Sequence, residues 1–198
     1  MYEKSGPGDD GEAEREPWRF PPENELPAVV PIERFLVRTA SVVGIVIAAE
    51  AYSTGCLFRL RFAIQRGDRD EESWQMTCRR AVSHPHLYPP TSQAENDSGL
   101  KVTVTTATGD STDTQASVPL VDRGRPGPPS EPVLALHNVR SSSDRSRAHV
   151  TADLWLWPLP PPGELTLSAT WESFALTSAE LTIDASTITE AATRIQHF

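Results

Sequence analysis

Cysteine and long apolar runs are both scarce in this 198-residue chain. Its two cysteines, Cys56 and Cys78, have no spacing diagnostic of a disulfide framework or a zinc site. The longest apolar run, Val42 to Ala49, falls far short of the ~20 residues that span a bilayer. The chain also starts without a basic stretch followed by an apolar one, so no secretory signal is expected. These absences favour a soluble cytoplasmic protein with free, buried thiols and no membrane span.

A dense basic patch is missing as well. The formal net charge is -9, and no basic cluster is denser than Arg79-Arg80, which disfavours nucleic acid as a partner. Much of the negative charge falls within residues 1–25, which contain eight acidic and three basic residues. Because this stretch is polar and rich in glycine and proline, we expect residues 1–25 to form a disordered acidic arm.

Recognisable catalytic motifs are absent. No serine lies in a Gly-x-Ser-x-Gly sequence, and no glycine-rich loop is present to bind phosphate. His84 and His86 could offer two imidazoles to a metal, but zinc sites need three or four ligands and neither cysteine is close in sequence. Two acidic loops lack the glycine-punctuated pattern of a calcium site; their acids are Asp68, Asp70, Glu71, Glu72, Asp110 and Asp113. We therefore predict no catalytic residue, no metal and no cofactor.

Proline, in contrast, is abundant. The chain has 18 prolines in 198 residues, and an interior proline costs an α-helix roughly 3 kcal/mol. A helical bundle is therefore disfavoured, whereas a β-protein with many turns accommodates this composition.

The clearest pattern is a β-hairpin. Residues Ser41–Tyr52 are almost continuously apolar and β-branched, which predicts a central strand buried on both faces. A turn at Ser53–Gly55 leads into Cys56–Arg66, where apolar and polar residues alternate. The apolar face carries Cys56, Phe58, Leu60, Phe62 and Ile64, and the opposite face carries Arg59, Arg61 and Gln65. We expect this arginine face to be solvent-exposed, since unpaired buried guanidiniums are costly.

Alternating patterns predict several more strands and one helix. The strands are expected near Leu26–Pro31, Ser73–Val82, Leu100–Thr105, Val133–Val139, Ser146–Trp157, Leu165–Trp171 and Leu181–Ile183. A turn is expected at Ser141–Asp144, and His84–Ser98 is expected to be loop. Near the C-terminus, apolar residues at helical spacing follow a capping-box pattern, Thr187-x-x-Glu190. Residues 26–198 are thus predicted to form one all-β domain, an antiparallel two-sheet β-sandwich with a short C-terminal helix; a partly open barrel is the alternative.

Trp155 and Trp157 are the candidate binding residues. In the strand Ser146–Trp157 the even positions are expected to face the core, which puts both tryptophans on the opposite face with Thr151 and Asp153. A covered tryptophan buries about 150–250 Å², so something should cover them. The cover is either the chain itself, through prolines 158–162 or the segment around Trp18 and Phe20, or a partner protein.

Three strings of residues carry a family resemblance. They are Ala51–Gly55, the proline-rich corner Trp155-Leu-Trp-Pro-Leu-Pro-Pro-Pro-Gly163, and Glu180–Asp184 followed by a helix with Glu190-Ala-Ala192. From about Leu26 to the C-terminus the chain resembles a family of uncharacterised actinobacterial proteins. The resemblance implies one intracellular β-rich domain and brings no activity, cofactor or binding residue.

Together these features predict a non-catalytic binding or assembly module, whose partner is another protein or a second copy of the chain. Two alternatives remain open. One is a hydrolase-like or metal-dependent enzyme that uses His84, His86 and nearby acids. The other is a subunit that pairs with another protein through an exposed sheet edge.

Overall fold

The structure, a computed structural model, describes residues 16–80, 100–114, 129–130, 132–174 and 176–198. These residues form eleven strands, two short helices and a 3-10 turn at Glu172–Phe174. The expected loop His84–Ser98 lies outside the described residues. The elements are β1 (Glu25–Leu26), β2 (Ala28–Arg38), β3 (Val42–Ala51), β4 (Cys56–Gln65), α1 (Glu71–Arg80), β5 (Lys101–Thr105), β6 (Ser111–Asp113), β7 (Val133–Ser143), β8 (Arg147–Trp157), β9 (Glu164–Trp171), β10 (Leu176–Asp184), α2 (Ser186–Ala192) and β11 (Gln196–His197).

The strands form three antiparallel sheets. One has five strands in the order β2-β3-β4-β8-β7, one has four in the order β10-β9-β5-β6, and β1 pairs with β11. The two larger sheets share one buried core, to which β4 contributes Phe58, β5 contributes Val104 and β9 contributes Leu167. This arrangement confirms the prediction of an all-β fold with a short C-terminal helix.

The β3–β4 hairpin forms within one residue of its predicted bounds. Its turn is closed by a hydrogen bond from the Tyr52 N–H to the Gly55 carbonyl at 2.9 Å. A Cβ at Gly55 would lie 2.5 Å from the Leu156 carbonyl oxygen, so this position requires glycine. Burial on both faces of β3 was expected, and this is wrong. Val42 and Val46 are buried in the core, whereas the residues that alternate with them are half-buried on the other face of the sheet.

Strand β8 has the predicted inner face, since Ala148, Val150, Ala152, Leu154 and Leu156 are all buried. Its neighbour β7 runs four residues beyond the predicted end. The predicted turn Ser141–Asp144 is therefore displaced toward Asp144–Ser146. There the Asp144 carboxylate accepts hydrogen bonds from the N–H groups of Ser146 and Arg147, at 2.7 and 2.8 Å.

The prediction of a strand at Ser73–Val82 is wrong, because Glu71–Arg80 is the helix α1. Asp70 caps it by accepting a hydrogen bond from the Ser73 N–H at 2.7 Å. Trp74 and Thr77, three residues apart, are buried, whereas Met76 is 44% exposed. The burial therefore follows helical rather than strand spacing. The Trp74 indole also donates a hydrogen bond to the Asp144 carbonyl at 2.9 Å, which ties α1 to the β7–β8 turn.

The predicted C-terminal helix is present as α2, and Ile188 and Ala191 form its buried face. The predicted capping box does not form, since the N-cap is Ala185, which has no side chain able to cap the helix. Instead, Asp184 accepts a hydrogen bond from the Ser186 N–H at 2.9 Å. The predicted first helical turn was therefore placed two residues too late.

We predict that Trp74→Ala lowers the free energy of unfolding by about 3–5 kcal/mol, because it leaves a cavity and removes the hydrogen bond to Asp144. Met76→Ala, on the exposed face of the same helix, is the matched control and should change stability by less than about 0.5 kcal/mol. Urea unfolding followed by circular dichroism measures both. Equal losses in the two variants would contradict the assigned helix face.

A second prediction concerns the β7–β8 turn. The N–H groups of Ser146 and Arg147 hold the pKa of Asp144 below its usual value. Since an unfolded aspartate titrates near about 3.9, the stabilisation from Asp144 is complete above that pH and is lost as pH falls through the lower folded-state pKa. Asp144→Ala should therefore be less stable than wild type at pH 7, and the difference should shrink in acid. A difference that stays constant with pH, measured by urea unfolding, would contradict this role.

Candidate functional site

The functional candidates lie on the outer face of the five-stranded sheet, the side opposite the shared core. Along β8 this face carries Trp157, Trp155, Asp153 and Thr151 in succession, because alternate residues of a strand point the same way. The two tryptophans lie in an aromatic cluster, and Asp153 and Thr151 line an adjacent cleft.

The outer aromatic cluster consists of Tyr52, Leu57 and Trp155, with Ala135 and Trp157 packed against them. The Tyr52 ring lies edge-on to Trp155, with centroids 5.6 Å apart. Trp155 is 0% exposed although it faces away from the main core. Burial, followed by the charge of Glu50, raises the pKa of Tyr52. The cluster is thus a small second core on the outer side of the sheet.

Residues 16–22, which we call the N-terminal strap, cover this cluster. The Trp155 indole N–H donates a hydrogen bond to the Pro17 carbonyl at 3.1 Å. The Trp18 ring lies edge-on to Trp157 at 6.1 Å between centroids, and the Phe20 ring lies 5.2 Å from His137. Of the two kinds of cover considered for Trp155 and Trp157, the structure thus shows the chain's own segment around Trp18 and Phe20.

The strap differs from the disordered arm assigned to residues 1–25. From Glu16 onward the chain packs on the sheet, since the N–H groups of Arg19 and Phe20 donate to the Glu16 carbonyl and form a single turn. Beyond the strap, at the start of β1, Glu25 is only 8% exposed. Its carboxylate accepts hydrogen bonds from the Ser53 N–H, at 2.9 Å, and from the Ser53 hydroxyl. Trp18, Phe20 and Glu25 make the contacts that hold this segment on the sheet. An acidic composition alone does not reveal these contacts.

The proline-rich corner folds back on the β3–β4 turn. The Trp157–Pro158 peptide bond is cis, and the Leu159 N–H donates a hydrogen bond to the Thr54 carbonyl at 2.9 Å. The corner therefore closes the end of β8 beside the aromatic cluster.

An arginine cleft of about 440 Å³ opens beside the strap on the same face. It crosses β3, β4, β8 and β7, and its lining combines polar side chains with apolar surface from residues such as Ile47 and Leu60. The lining residues are Ile47, Arg59, Leu60, Arg61, Asn138, Arg140, Thr151 and Asp153.

Arg59 forms the fixed wall of the cleft. Its guanidinium donates two hydrogen bonds to Glu50, at 2.8 and 2.9 Å, and contacts Asp153 at 2.6 Å. Asn138 donates a further hydrogen bond to Asp153 at 2.8 Å. The bonds to Glu50, followed by those to Asp153, raise the pKa of Arg59 above its ordinary value. The arginine face was expected to be solvent-exposed. Arg61 is exposed, whereas Arg59 has a side chain that is 41% exposed and is paired with both Glu50 and Asp153.

A β-bulge in β7 sets the opposite wall. His137 pairs with Asp153 and Arg140 pairs with Thr151, so β7 has one extra residue between these two pairs. Asn138 absorbs the irregularity with a φ of 47°, a left-handed conformation that asparagine tolerates better than most residues. In a regular ladder Val139 would lie opposite Thr151. The bulge places Arg140 there instead.

Arg61, Thr151 and Arg140 form one row across the cleft. Arg61 on β4 and Arg140 on β7 both pair with Thr151 on the strand between them. Two strand spacings separate the arginine Cα atoms by about 10 Å, which long side chains can bridge through one ligand. Both arginines are exposed, and neither pairs with an acid among the residues that the structure describes. Two uncompensated guanidiniums beside a hydroxyl are suited to an anionic group.

The remaining chemical candidates are less organised. Cys56 and Cys78 are both free, and burial raises the pKa of each thiol, so neither is activated as a nucleophile. His84 and His86 lie outside the described residues. Within the described ranges no group of three or more histidine, cysteine or acidic side chains could hold a metal ion, and no helix is long and apolar enough to cross a membrane.

Sequence reasoning found part of the cleft. The alternation in β4 placed Arg59 and Arg61 on the face of that strand opposite its apolar residues. The alternation in β8 placed Thr151 and Asp153 on the corresponding face of β8. It missed Asn138 and Arg140, because a one-residue bulge shifts the face on which every later side chain of β7 lies.

No family model, curated protein or solved structure matches this chain. The resemblance to the actinobacterial family therefore stays a prediction, and the site has to be interpreted from its own geometry.

We predict that Asp153→Ala lowers the free energy of unfolding by about 1–3 kcal/mol, since it removes a buried acceptor from both Arg59 and Asn138. Glu180→Ala, at an exposed position of β10, is the control and should cost less than about 0.5 kcal/mol. Chemical unfolding measures both changes. A neutral Asp153→Ala variant would show that the network does not stabilise the bulge.

Proposed function

We propose that this chain is a non-catalytic binding module that holds carboxylates of an acidic protein segment in the arginine cleft. The observation that carries the proposal is the row formed by Arg61, Thr151 and Arg140. It places two guanidiniums and a hydroxyl on one face, where each guanidinium can donate two parallel hydrogen bonds to a carboxylate.

The charge balance of the cleft supports an anionic ligand. Arg59 is already compensated by Glu50 and Asp153, so its role is to fix the position of the wall. Arg61 and Arg140 add two positive charges on the open side. Because the whole chain carries a net charge of -9, this local reversal of sign favours an acidic partner at the cleft and repels it elsewhere.

The shape and the donor set support binding over catalysis. The cleft is open rather than enclosed, as expected for a protein segment rather than a small substrate. Its lining contains hydrogen-bond donors and no histidine, cysteine or lysine, and its one carboxylate is held by Arg59 and Asn138. The enzyme hypothesis needs His84 and His86 and receives no support from the described residues.

A cytoplasmic location also belongs to this proposal. The free state of Cys56 and Cys78 is consistent with a reducing compartment. The alternative of pairing through a sheet edge remains a hypothesis, with β2 and β7 as the edges of the described five-stranded sheet.

The test uses fluorescein-labelled hexaglutamate and fluorescence anisotropy at low and moderate salt. Wild type should bind the peptide, with an affinity that falls as salt rises. Arg61→Ala combined with Arg140→Ala should weaken binding at least about tenfold, which corresponds to about 1.4 kcal/mol.

The matched control is Arg38→Ala combined with Arg194→Ala, which removes the same charge from exposed positions outside the cleft lining. This pair should leave binding within about twofold of wild type. Equal loss in both pairs would show non-specific charge attraction. Absence of hexaglutamate binding to wild type at low salt would contradict the carboxylate assignment.

A further inference from the structure

We propose that the outer aromatic cluster is a docking site for a segment of another polypeptide that carries a proline followed by aromatic residues, and that the N-terminal strap occupies this site in cis. The inference concerns Trp155 and Trp157 and is independent of the arginine cleft. It begins from an indole N–H that the sheet itself does not satisfy.

The buried indole of Trp155 distinguishes the outer aromatic cluster from a nonspecific apolar patch. Its ring is fully buried on the outer side of the sheet, and its N–H finds its acceptor in the strap, at the Pro17 carbonyl. A buried donor that loses its acceptor costs about 1–3 kcal/mol. The site therefore selects for an occupant with a carbonyl at this position, in addition to apolar side chains.

The strap shows the chemistry of a fitting occupant. After the carbonyl of Pro17, the aromatic rings of Trp18 and Phe20 contact Trp157 and His137. The contacts pair a tryptophan with a tryptophan and a phenylalanine with a histidine, and aromatic pairs contribute about 0.5–1.5 kcal/mol beyond burial. Pro17 is the first residue inside the single turn, and a proline costs little there, since the missing N–H would have no partner within the turn in any case.

The strap can leave without disrupting a sheet. Its residues are all half-buried, whereas Trp155 beneath is completely covered. Strand pairing starts at β1, where Glu25 is anchored to Ser53, and the Asn24 carbonyl beside it accepts a hydrogen bond from the Phe198 N–H at 3.3 Å. Rotation of the exposed backbone between Pro22 and Asn24 would lift the strap as a unit and expose the cluster.

A partner, rather than a second copy, is the occupant that the energetics favour. A strap exchanged from a second copy would make the same contacts and gain no contact energy, yet it would lose the freedom of an independent chain. A partner segment with better contacts displaces the strap, whose effective concentration is in the millimolar range. The cis contact thus sets the affinity threshold that a partner must exceed.

The test uses the full chain with Trp18→Ala and Phe20→Ala, and a fluorescein-labelled peptide with the sequence of residues 16–23. Fluorescence anisotropy should show at least about tenfold tighter binding to this opened variant than to wild type, because the competing strap is weakened. Adding Trp155→Phe should weaken the binding again, since a smaller aromatic ring remains and the indole N–H is lost. The same peptide with alanine at the position of Trp18 is the control and should bind weakly.

Nuclear magnetic resonance keeps the test decisive if the opened variant does not fold. At millimolar peptide the wild-type indole signals of Trp18 and Trp155 should shift together as the strap is displaced. Absence of these shifts, or a folded opened variant that does not bind the peptide, would overturn the proposal. A wild-type dimer in light scattering that Trp18→Ala abolishes would overturn the choice of a partner as occupant, in favour of a second copy.

Discussion

The uninterrupted pairing of β4 with β8 is the constraint on which both faces of the five-stranded sheet depend. It runs from Cys56 opposite Leu156 to Gln65 opposite Arg147 without a shift in register. One face of this pair supplies the core, and the other carries Arg59, Arg61 and the tryptophans. Because the side-chain period is two, a one-residue slip would move both sets to the wrong side.

The tryptophans show how a second layer can form on a sheet whose main core lies on the other side. Trp155 faces outward and is nevertheless fully buried, because the strap and Tyr52 enclose it. The acidic Glu25 contributes by binding the Ser53 backbone and side chain rather than by repelling the sheet. The acidic composition of the N-terminal residues therefore does not predict where this segment lies in the structure.

The sequence predicted the strands whose side chains alternate strongly, above all β4, β8 and β9, because burial of one face dictates that pattern. It failed at α1, where Trp74, Met76 and Cys78 imitate strand spacing. In the structure, the cap at Asp70 and the contact of Trp74 with the β7–β8 turn stabilise the helical conformation of this segment. The cap at Asp70 is a local signal, three residues from Ser73, that the strand interpretation overlooked, whereas Trp74 and Asp144 are 70 residues apart and meet only in the fold.

About half of the residues that line the candidate cleft could be predicted from the sequence. Arg59 and Arg61 follow from the alternation of β4, but their different states do not, since Arg59 is paired with Glu50 and Asp153 while Arg61 is exposed. The contribution of β7 could not be predicted, because no local pattern marks the extra residue at Asn138.

The bulge at Asn138 also means that the chemistry of the cleft is governed by the register of β7 as well as by the identity of its residues. If β7 kept all its residues but paired with β8 without the bulge, Val139 would lie opposite Thr151 and Arg140 would face the other side, with no arginine substituted. Loss of the extra residue itself would leave Arg140 opposite Thr151 and remove the hydrogen bond from Asn138 to Asp153. Among related chains, the pairing of β7 with β8 is therefore a character to compare before any side chain of this strand.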